Sequence, residues 1–390
     1  MPLNMLVVDD EPDLELLLRQ KFRRAIRKGE LAITFATDGR DALACLEKDP
    51  TLEIVLTDIN MPGMDGLTLL RHIQELERLL KVVVVSAYGD ISNIRTAMNR
   101  GAFDFIVKPI DFEDLQTTVD RTHRELVALR KSLETEKQYH QVQRDLEIAS
   151  RIQQSVLPTT FPAFPGRADF DLYATLIPAL EVGGDLYDFF LLDEHHLGFS
   201  LGDVSGKGVG AAMVMVMTRT LLRVTAMQGF GPAECLRRVN RALYPECMRG
   251  VFITAVYGIL DTRSGAVVYA NAGHNLPYVV PVHGTPRPLK QGRNVGLCLV
   301  KDFAFTEAED RLELGEGLLL YTDGVPEAIN AAREQFGDAR LEAALHRNGD
   351  ILSASETVHD ILRDVTTFTD GADQSDDITL LHLHYNGAAL

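Results

Sequence analysis

The chain has 390 residues, of which 46% are hydrophobic and 24% charged, as in a folded globular protein, and its length favours two or three domains. Its formal net charge of −17 argues against nucleic acid as a partner, because phosphate binding needs a basic surface and no basic stretch is present. The four cysteines, Cys45, Cys235, Cys247 and Cys298, form no CxxC pair. The sequence therefore predicts neither a disulfide framework nor a thiolate zinc site.

The sequence offers no clear membrane segment. The N-terminus reaches its first charge at Asp9, which argues against a secretory signal. No apolar run approaches the roughly 20 residues that a bilayer requires. The nearest candidate, residues 211–227, carries Arg219 and Arg223 and is better interpreted as a core helix. We expect a cytoplasmic protein without a membrane partner.

Residues 1–121 alternate short apolar runs with helical patterns five times. This alternation predicts a doubly wound parallel α/β sheet, in which ligands bind at the carboxyl ends of the strands. Polar residues suited to phosphoryl transfer fall at those predicted ends: Asp9, Asp10, Asp58, Ser86 and Lys108. Each of them alone could be a solvated loop residue, but together they indicate one site.

The stretch LTDINMPGMDG around Asp58, with these other positions, resembles the receiver domain of two-component response regulators over the whole segment. The resemblance implies that Asp58 accepts a phosphoryl group, and that Asp9, Asp10 and the carbonyl of Asn60 hold Mg²⁺. An aspartate can act as a phosphoryl nucleophile only where a cation offsets the repulsion between carboxylate and phosphate. Mg²⁺ and Lys108 would supply that positive charge.

The same resemblance implies roles for two further residues. Ser86 would hydrogen-bond the phosphoryl oxygen. Phe105 falls at the position of the family's switch aromatic, which is more often a tyrosine. A sensor histidine kinase is the implied partner that supplies the phosphoryl group.

A charged helical connector is predicted over residues 122–160, without glycine and with its first proline at Pro158. An apolar 3-4 spacing that would suit a coiled-coil seam begins before it, at Leu115, Val119, Leu126, Leu129 and Leu133. The spacing fails over 134–141 and resumes out of phase at Val142, Leu146, Ala149, Gln153 and Val156. Two interpretations remain open: a solvated helix, or a parallel homodimer whose coiled coil is locally interrupted. The stretch LEIASRIQQSVLP (146–158) resembles the helix that precedes the phosphatase domain in regulators of the partner-switching type.

Residues 161–390 predict strands in hairpin order with pairs of helices between them. The helices are expected near 208–227, 232–243, 337–347 and 355–369. This order favours an α+β fold of packed antiparallel sheets flanked by helices.

Four acidic motifs in this second half each place a carboxylate at a strand end or turn: VGGDLYDFF (182–190), LGDVSGKG (201–208), YTDGVPEA (321–328) and SDDITLLHL (375–383). Carboxylates without histidine or cysteine companions indicate a site for a hard cation, because Mg²⁺ and Mn²⁺ prefer oxygen ligands. Any single motif could be a capped loop. Four in this order indicate a metal site.

These motifs resemble the PP2C-like metal-dependent Ser/Thr phosphatases, and within them the bacterial subgroup that acts on anti-sigma-factor antagonists. The resemblance implies two Mn²⁺ or Mg²⁺ ions, and it implies the following ligands: Asp185, Asp203, the carbonyl of Val204, Asp323, and Asp376 or its neighbour Asp377. A phosphoserine monoester is inert, and two metal ions would activate water and neutralise the phosphoryl oxygens, so no protein nucleophile is required.

Two questions stay open at the level of sequence. Eukaryotic members of the wider family carry a histidine proton donor where this chain has Ser205, which leaves the general acid unassigned. His274 is better interpreted as a loop-organising hydrogen bonder than as a ligand. We expect a response regulator with phosphatase output, and the alternative is a catalytically silent adaptor with a phosphatase-like domain.

Overall fold

The computed structural model describes residues 3–76, 78–87, 90–247, 250–290, 294–347 and 353–387. The chain divides into two compact units, Met1–Gln141 and Val142–Leu390. Each unit has its own hydrophobic core.

The N-terminal unit is built on one parallel sheet, as predicted. Over the described residues its five strands lie in the order β2-β1-β3-β4-β5. The strands are β1 (Leu3–Val8), β2 (Leu31–Ala36), β3 (Ile54–Asp58), β4 (Lys81–Ala87) and β5 (Asp104–Lys108). The helices are α1 (Pro12–Lys21), α2 (Arg23–Arg27), α3 (Gly39–Lys48), α4 (Gly66–Gln74), α5 (Ile91–Asn99) and the long α6 (Phe112–Val156). Every residue of β3 is buried, because helices cover both faces of a parallel sheet.

The first predicted coiled-coil seam is wrong for three of its five residues. Leu115, Val119 and Leu126 are buried in the core that α6 forms with α1 and the sheet. Only Leu129 and Leu133, which are 38% and 40% exposed, lie outside that core. A 3-4 apolar spacing fits a helix packed on a sheet as well as it fits a coiled coil, so the spacing could not distinguish the two. The helix also continues through 134–141 without a break.

The C-terminal unit contains two antiparallel sheets, which confirms the predicted fold class. Within the described ranges the sheets have the orders β13-β10-β9-β8-β7 and β12-β11-β14-β15-β6. The first sheet comprises β7 (Leu186–Leu191), β8 (His196–Val204), β9 (Ile253–Asp261), β10 (Ala266–Ala272) and β13 (Ala308–Arg311). The second comprises β6 (Phe170–Ile177), β11 (Tyr278–Val280), β12 (Arg287–Pro288), β14 (Gly317–Tyr321) and β15 (Ile378–Tyr385).

Helices cover the outer face of each sheet. The helices are α7 (Val209–Ala226), α8 (Pro232–Leu243), α9 (Gly337–Arg347) and α10 (Ala354–Thr369). One core joins side chains of both sheets, a second packs α7 and α8 on the first sheet, and a third packs α9 and α10 on the second. The result is a four-layer sandwich, and the strand ends of both sheets are available to build a site.

One helix among the described residues, α7, is long and apolar enough to cross a bilayer by length and composition, and 44% of it is buried inside the protein. Arg219 and Arg223 of α7 form ion pairs of 2.9 and 2.8 Å with the buried Asp188 of β7. These pairs fix α7 on its sheet.

The cysteine prediction is wrong in one respect, because Cys247 and Cys298 form a disulfide. The two residues are 51 positions apart, so their proximity depends on the fold and leaves no local motif in the sequence. Cys45 and Cys235 are free thiols.

Candidate active sites

Three carboxylates meet at one edge of the parallel sheet. Asp9 and Asp10 follow β1, Asp58 ends β3, and one carboxylate oxygen from each of the three lies within 4.8 Å of the other two. Asp9 and Asp58 are buried, whereas Asp10 is exposed. Backbone N–H groups of Glu11 and Asn60 donate to Asp9 and Asp58 at 2.8 and 3.2 Å. The cluster therefore combines two buried carboxylates, held by backbone N–H groups, with a third carboxylate that faces solvent.

The ammonium group of Lys108, at the end of β5, joins this cluster. Its Nζ lies 2.6 Å from Asp58, 3.0 Å from Asp9 and 3.0 Å from Glu11. Burial opposes the charge of Lys108, but the hydrogen bonds that it donates to these three carboxylates raise its pKa. Burial raises the pKa of Asp9, and the Glu11 N–H and Lys108 offset part of that effect. Glu11 is a member of the site that the sequence did not single out.

Ser86 and Phe105 differ in their surroundings. Ser86, near the end of β4, is fully buried, and its hydroxyl has no hydrogen-bond partner among the residues that the structure describes. An unpaired buried hydroxyl is costly and needs a reason, such as a ligand that it would contact. Phe105 on β5 is 40% exposed. Asn60 directs its side-chain amide toward Asp90, at 3.5 Å.

The acidic motifs of the C-terminal unit converge from both of its sheets. Asp185 directly precedes β7 and Asp203 lies on β8, whereas Asp323 follows β14 and Asp376 precedes β15. Burial, together with the nearby charges of Asp323 and Asp376, raises the pKa of Asp203 to about 7, although a hydrogen bond with Asp185 works against this shift. Burial and the charge of Asp203 likewise raise the pKa of Asp185. The carboxylates are therefore close enough to repel one another.

As a set, these carboxylates are less tightly grouped than those of the N-terminal unit, although Asp185 and Asp203 are hydrogen-bonded. Among the residues with described placement, only the Asp9, Asp10 and Asp58 group brings three such ligand oxygens within 4.8 Å of one another. Mg²⁺ in proteins is commonly held by one or two carboxylates and several water molecules. The spread of the four aspartates suits such partly hydrated ions better than a closed cage.

Comparison with known proteins finds one family in each half of the chain. The family model described as Response regulator receiver domain matches residues 5–120, and the one described as Stage II sporulation protein E (SpoIIE) matches residues 193–386. The chain joins a receiver domain to a PP2C-like phosphatase domain.

Relatives of known name support this assignment. Protein IcfG of Synechocystis sp. is 32% identical over 271 residues, which cover 62% of this chain and 42% of IcfG. Phosphoserine phosphatase RsbU of Bacillus subtilis is 27% identical over 187 residues, which cover 48% of this chain and 55% of RsbU. The chain thus spans about half the length of these two relatives.

Two solved structures share the fold of the phosphatase domain. The SiaA-PP2C domain of Pseudomonas aeruginosa superposes with a TM-score of 0.56 at 21% identity, covering 63% of this chain and 98% of that domain. The RsbU and RsbW domains of a Mycobacterium tuberculosis protein give a TM-score of 0.50 at 26% identity, covering 57% of this chain and 61% of that one.

In the phosphatase domain, two threonines fix Asp185. The hydroxyls of Thr322 and Thr379 donate to the same oxygen of Asp185, Oδ2, at 2.8 and 2.5 Å. Thr322 and Thr379 are themselves linked, because the Thr379 N–H donates to the Thr322 hydroxyl at 3.0 Å. Asp185 is only 1% exposed, so this support from the second sheet fixes the orientation of its carboxylate. Neither threonine was predicted.

Asp376 and Asp377 are distinguished by their partners. Both oxygens of Asp377 accept backbone N–H groups, from Ala179 at 2.8 Å and from Gly184 at 2.7 Å. Its carboxylate thereby holds the segment that leads into Asp185. Asp376 instead lies 3.2 Å from the ammonium of Lys207, and the charges of both aspartates, Asp376 and Asp377, help to raise the pKa of Asp203. This division between neighbours is not visible in the letters SDDIT.

Gly183 and Gly184 allow this close packing. A Cβ on Gly183 would lie 2.3 Å from Oδ2 of Asp377, and one on Gly184 would lie 2.7 Å from the carbonyl oxygen of Val204. Neither position has room for a side chain. The two glycines therefore bring the backbone against Asp377 and the Val204 carbonyl.

A residue near the end of α6, Gln153, also holds the segment that leads into Asp185. Gln153 is buried, its Nε2 donates to the Gly183 carbonyl at 2.6 Å, and its Oε1 accepts from the Gly183 N–H at 3.1 Å. We predicted Gln153 as a member of an apolar stripe, but its contact is polar. A buried glutamine within an otherwise apolar pattern was the signal for this role.

His274 organises the site without belonging to the cluster. Its Nε2 donates to the Tyr321 carbonyl at 3.1 Å, and in that tautomer its Nδ1 accepts from the Thr254 hydroxyl at 2.8 Å. Thr254 pairs with Asp203 in the β8–β9 register, and Tyr321 ends β14. Burial lowers the pKa of His274 to about 4, although the bond to Tyr321 works against this shift. The interpretation of His274 as a loop organiser is confirmed.

Proposed function

We propose that this protein is a response regulator whose output is the metal-dependent hydrolysis of phosphoserine or phosphothreonine in a protein substrate. The observation that carries the proposal is the convergence of Asp185, Asp203, Asp323 and Asp376 from both sheets onto one edge. Burial and repulsion raise the pKa of Asp185, Asp203 and Asp323. A divalent cation would relieve that repulsion, and the donors are all hard oxygens.

The residues fit two Mn²⁺ or Mg²⁺ ions. Asp185, Asp203, the Val204 carbonyl, Asp323 and Asp376 would hold them. Such ions, when bound, supply an activated water and neutralise the phosphoryl oxygens. The chain's own part is orientation: Thr322 and Thr379 fix Asp185, and Asp377, whose oxygens already serve the backbone, fixes the approach to it.

Asp58 is proposed as the phosphoacceptor of the receiver domain. Its carboxylate is 2.6 Å from the Lys108 ammonium, which would balance the added charge, and Asp9 and Asp10 with the Asn60 carbonyl would hold Mg²⁺. The unpaired hydroxyl of Ser86 supports a role as donor to the phosphoryl oxygen. Phe105 remains our proposed switch residue and a histidine kinase the proposed donor.

The proposed substrate is a phosphorylated anti-sigma-factor antagonist, as the resemblance of the four acidic motifs implies. The similarity to phosphoserine phosphatase RsbU supports phosphoserine as the hydrolysed group. We propose that the protein acts in the cytoplasm as a homodimer. Gln153 on α6 gives a physical route by which a change in α6 would reach the segment before Asp185.

The test is Mn²⁺-dependent turnover of a phosphoserine protein by wild type and by Asp203→Asn. We expect a loss on the order of 10²-fold or more, because one ligand contributes several kcal/mol at the transition state. Asp193→Asn, at an exposed turn in the same domain, is the matched control. Turnover by Asp203→Asn within threefold of wild type would overturn this site. A wild type without metal-dependent turnover on several phosphoproteins would favour the adaptor.

A further inference from the structure

The disulfide between Cys247 and Cys298 joins two segments that flank the phosphatase site. Cys247 lies in the connection between α8 and β9, and Cys298 lies in the connection between β12 and β13. Both residues are half-buried, so a small thiol or disulfide reagent can approach them. The free Cys235 is fully buried and its Sγ donates to the Leu222 carbonyl.

A short chain of contacts leads from Cys298 to the metal-ligand segment. Its neighbour Leu297 exchanges two backbone hydrogen bonds with Ile253, at 2.8 and 3.1 Å. Ile253 in turn pairs with Val204, whose carbonyl is a proposed ligand. Cys298 therefore directly follows Leu297, which is linked through Ile253 to the proposed metal ligand Val204.

The segment that contains Cys247 also leads to the metal-ligand segment, through Phe252. The α8–β9 connection ends at Phe252, which exchanges two hydrogen bonds with Ser205: the Ser205 N–H donates to the Phe252 carbonyl, and the Phe252 N–H donates to the Ser205 hydroxyl, both at 2.9 Å. Ser205 directly follows Val204. The disulfide therefore ties together both segments that support residues 203–205.

Hydrogen bonds also hold Cys298 beside α8, in addition to the covalent link. The buried Asn240 of α8 accepts from the Cys298 N–H at 2.8 Å and donates to the carbonyls of Val300 and Lys301 at 2.9 and 3.0 Å. We expect these three bonds to keep Cys298 close to α8 when the thiols are reduced. Reduction would free the α8–β9 connection at Cys247, while Cys298 stays in place to reform the bond.

We propose that Cys247 and Cys298 are a reversible redox modification site that tunes metal binding at the phosphatase centre; the inference rests on the proposed function for its consequence. A structural disulfide is uncommon in a reducing compartment, whereas a reversible one suits it. The oxidant is a small disulfide such as oxidised glutathione. One cysteine thiolate attacks it, a mixed disulfide forms and one glutathione thiolate leaves. The second cysteine thiolate then attacks the protein sulfur and expels the second glutathione. Two electrons pass to glutathione, and the two thiol protons end on the two released glutathione molecules.

We expect reduction of the disulfide to loosen the segments that hold the metal ligands, and so to weaken metal binding. Removal of a group that contacts and orients a metal ligand typically weakens metal binding by about 10- to 100-fold. Because Asn240 retains part of the support, we expect reduction to weaken Mn²⁺ binding by roughly tenfold, the low end of that range.

The first measurement counts thiols in the full-length protein. After exposure to oxidised glutathione, alkylation and peptide mapping should find Cys45 and Cys235 as thiols and Cys247 joined to Cys298. Dithiothreitol should return all four thiols. Failure of this disulfide to form, or failure of the thiol reagent to open it in the folded protein, overturns the proposal.

The second measurement is Mn²⁺ affinity by calorimetry in oxidised and reduced protein. All proteins carry Asp10→Asn, so that the receiver cluster contributes less to the signal. Tighter binding in the oxidised form, lost in Cys298→Ser and kept in Cys45→Ser, supports the proposal. Equal affinity in both redox states overturns it. Melting curves confirm that Cys298→Ser is folded, and Cys247→Ser provides a second route to the same comparison.

Turnover is measured in parallel to separate the two hypotheses. Redox-dependent Mn²⁺ affinity without any phosphatase turnover would refute the proposed function and leave the redox site standing. Turnover that is insensitive to redox state, with equal Mn²⁺ affinity, would refute the redox site alone.

Discussion

Gln153 and Gly183 exchange two hydrogen bonds, so the side chain of a helical residue mimics a strand partner for the segment before Asp185. The amide of Gln153 satisfies both polar groups of Gly183 in a buried position. Few side chains can do this, because it requires a donor and an acceptor in one planar group.

Gln153→Leu should therefore lower phosphatase turnover, by about 10- to 100-fold, since the Asp185 segment loses its support and two buried backbone groups lose their partner. The measurement is steady-state turnover at saturating Mn²⁺, with melting curves as a check on folding. Gln154→Leu, an exposed neighbour on the same helix, is the matched control. A Gln153→Leu protein as active as that control would show that this contact does not position the site.

Asp376 and Asp377 should respond differently to removal of their charge. Asp377→Ala leaves the N–H groups of Ala179 and Gly184 unpaired, which should reduce stability by about 1–3 kcal/mol for each group that stays buried. Asp376→Asn removes a negatively charged metal ligand, so it should lower Mn²⁺ affinity and turnover. Because that charge also repels the neighbouring carboxylates, the substitution should not reduce stability. Urea unfolding and calorimetry of the two variants separate these effects. The reverse pattern would make Asp377 the ligand.

Asp58 should be labelled by a small phosphodonor in the presence of Mg²⁺, because Lys108 and the acidic cluster surround its carboxylate. Asp58→Ala should carry no acid-labile phosphate, and Asp13→Ala, at an exposed position on α1, should be labelled like wild type. Phosphate analysis of the three proteins after equal exposure makes the comparison. Equal labelling of Asp58→Ala would place the phosphoacceptor elsewhere.

His382 should make the phosphatase domain sensitive to acid. It is buried in β15, neither ring nitrogen has a hydrogen-bond partner among the described residues, and burial lowers its pKa to about 3. The unfolded chain takes up this proton near the ordinary pKa of 6.5, whereas the folded chain does not. Stability is therefore lost as the pH falls from about 6.5 toward 3, by an amount on the order of a few kcal/mol.

His382→Leu should flatten this part of the pH profile and, by removing a buried polar group without a partner, should increase stability at neutral pH by about 1–3 kcal/mol. Urea unfolding between pH 5 and pH 7 would measure both effects, because an unfolded histidine titrates in this range. His359→Leu, at an exposed position of α10, should leave the slope unchanged. An identical slope in wild type and His382→Leu would assign the acid sensitivity to other groups.

Much of the architecture follows from sequence because parallel strands end at a common edge. That rule brings Asp9, Asp58 and Lys108 together from the positions of the predicted strands alone. The glycines of VGGD likewise indicate a close backbone approach, and the structure bears this out at Gly183 and Gly184.

The remaining features depend on contacts between distant segments. The letters SDDIT give two adjacent carboxylates, and only the folded structure distinguishes them. Asp377 accepts the N–H groups of Ala179 and Gly184, whereas Asp376 lies beside Lys207. The strands β12 and β13 have two and four residues, too few for a recognisable alternation.

The burial of Leu126 has a consequence for engineering chimaeric regulators. A joint placed at residue 121 would remove Leu126 from the receiver and leave a gap in its core. The side chains of residues 131–145 are all exposed, so a transplanted receiver with its own complete last helix would best be spliced there.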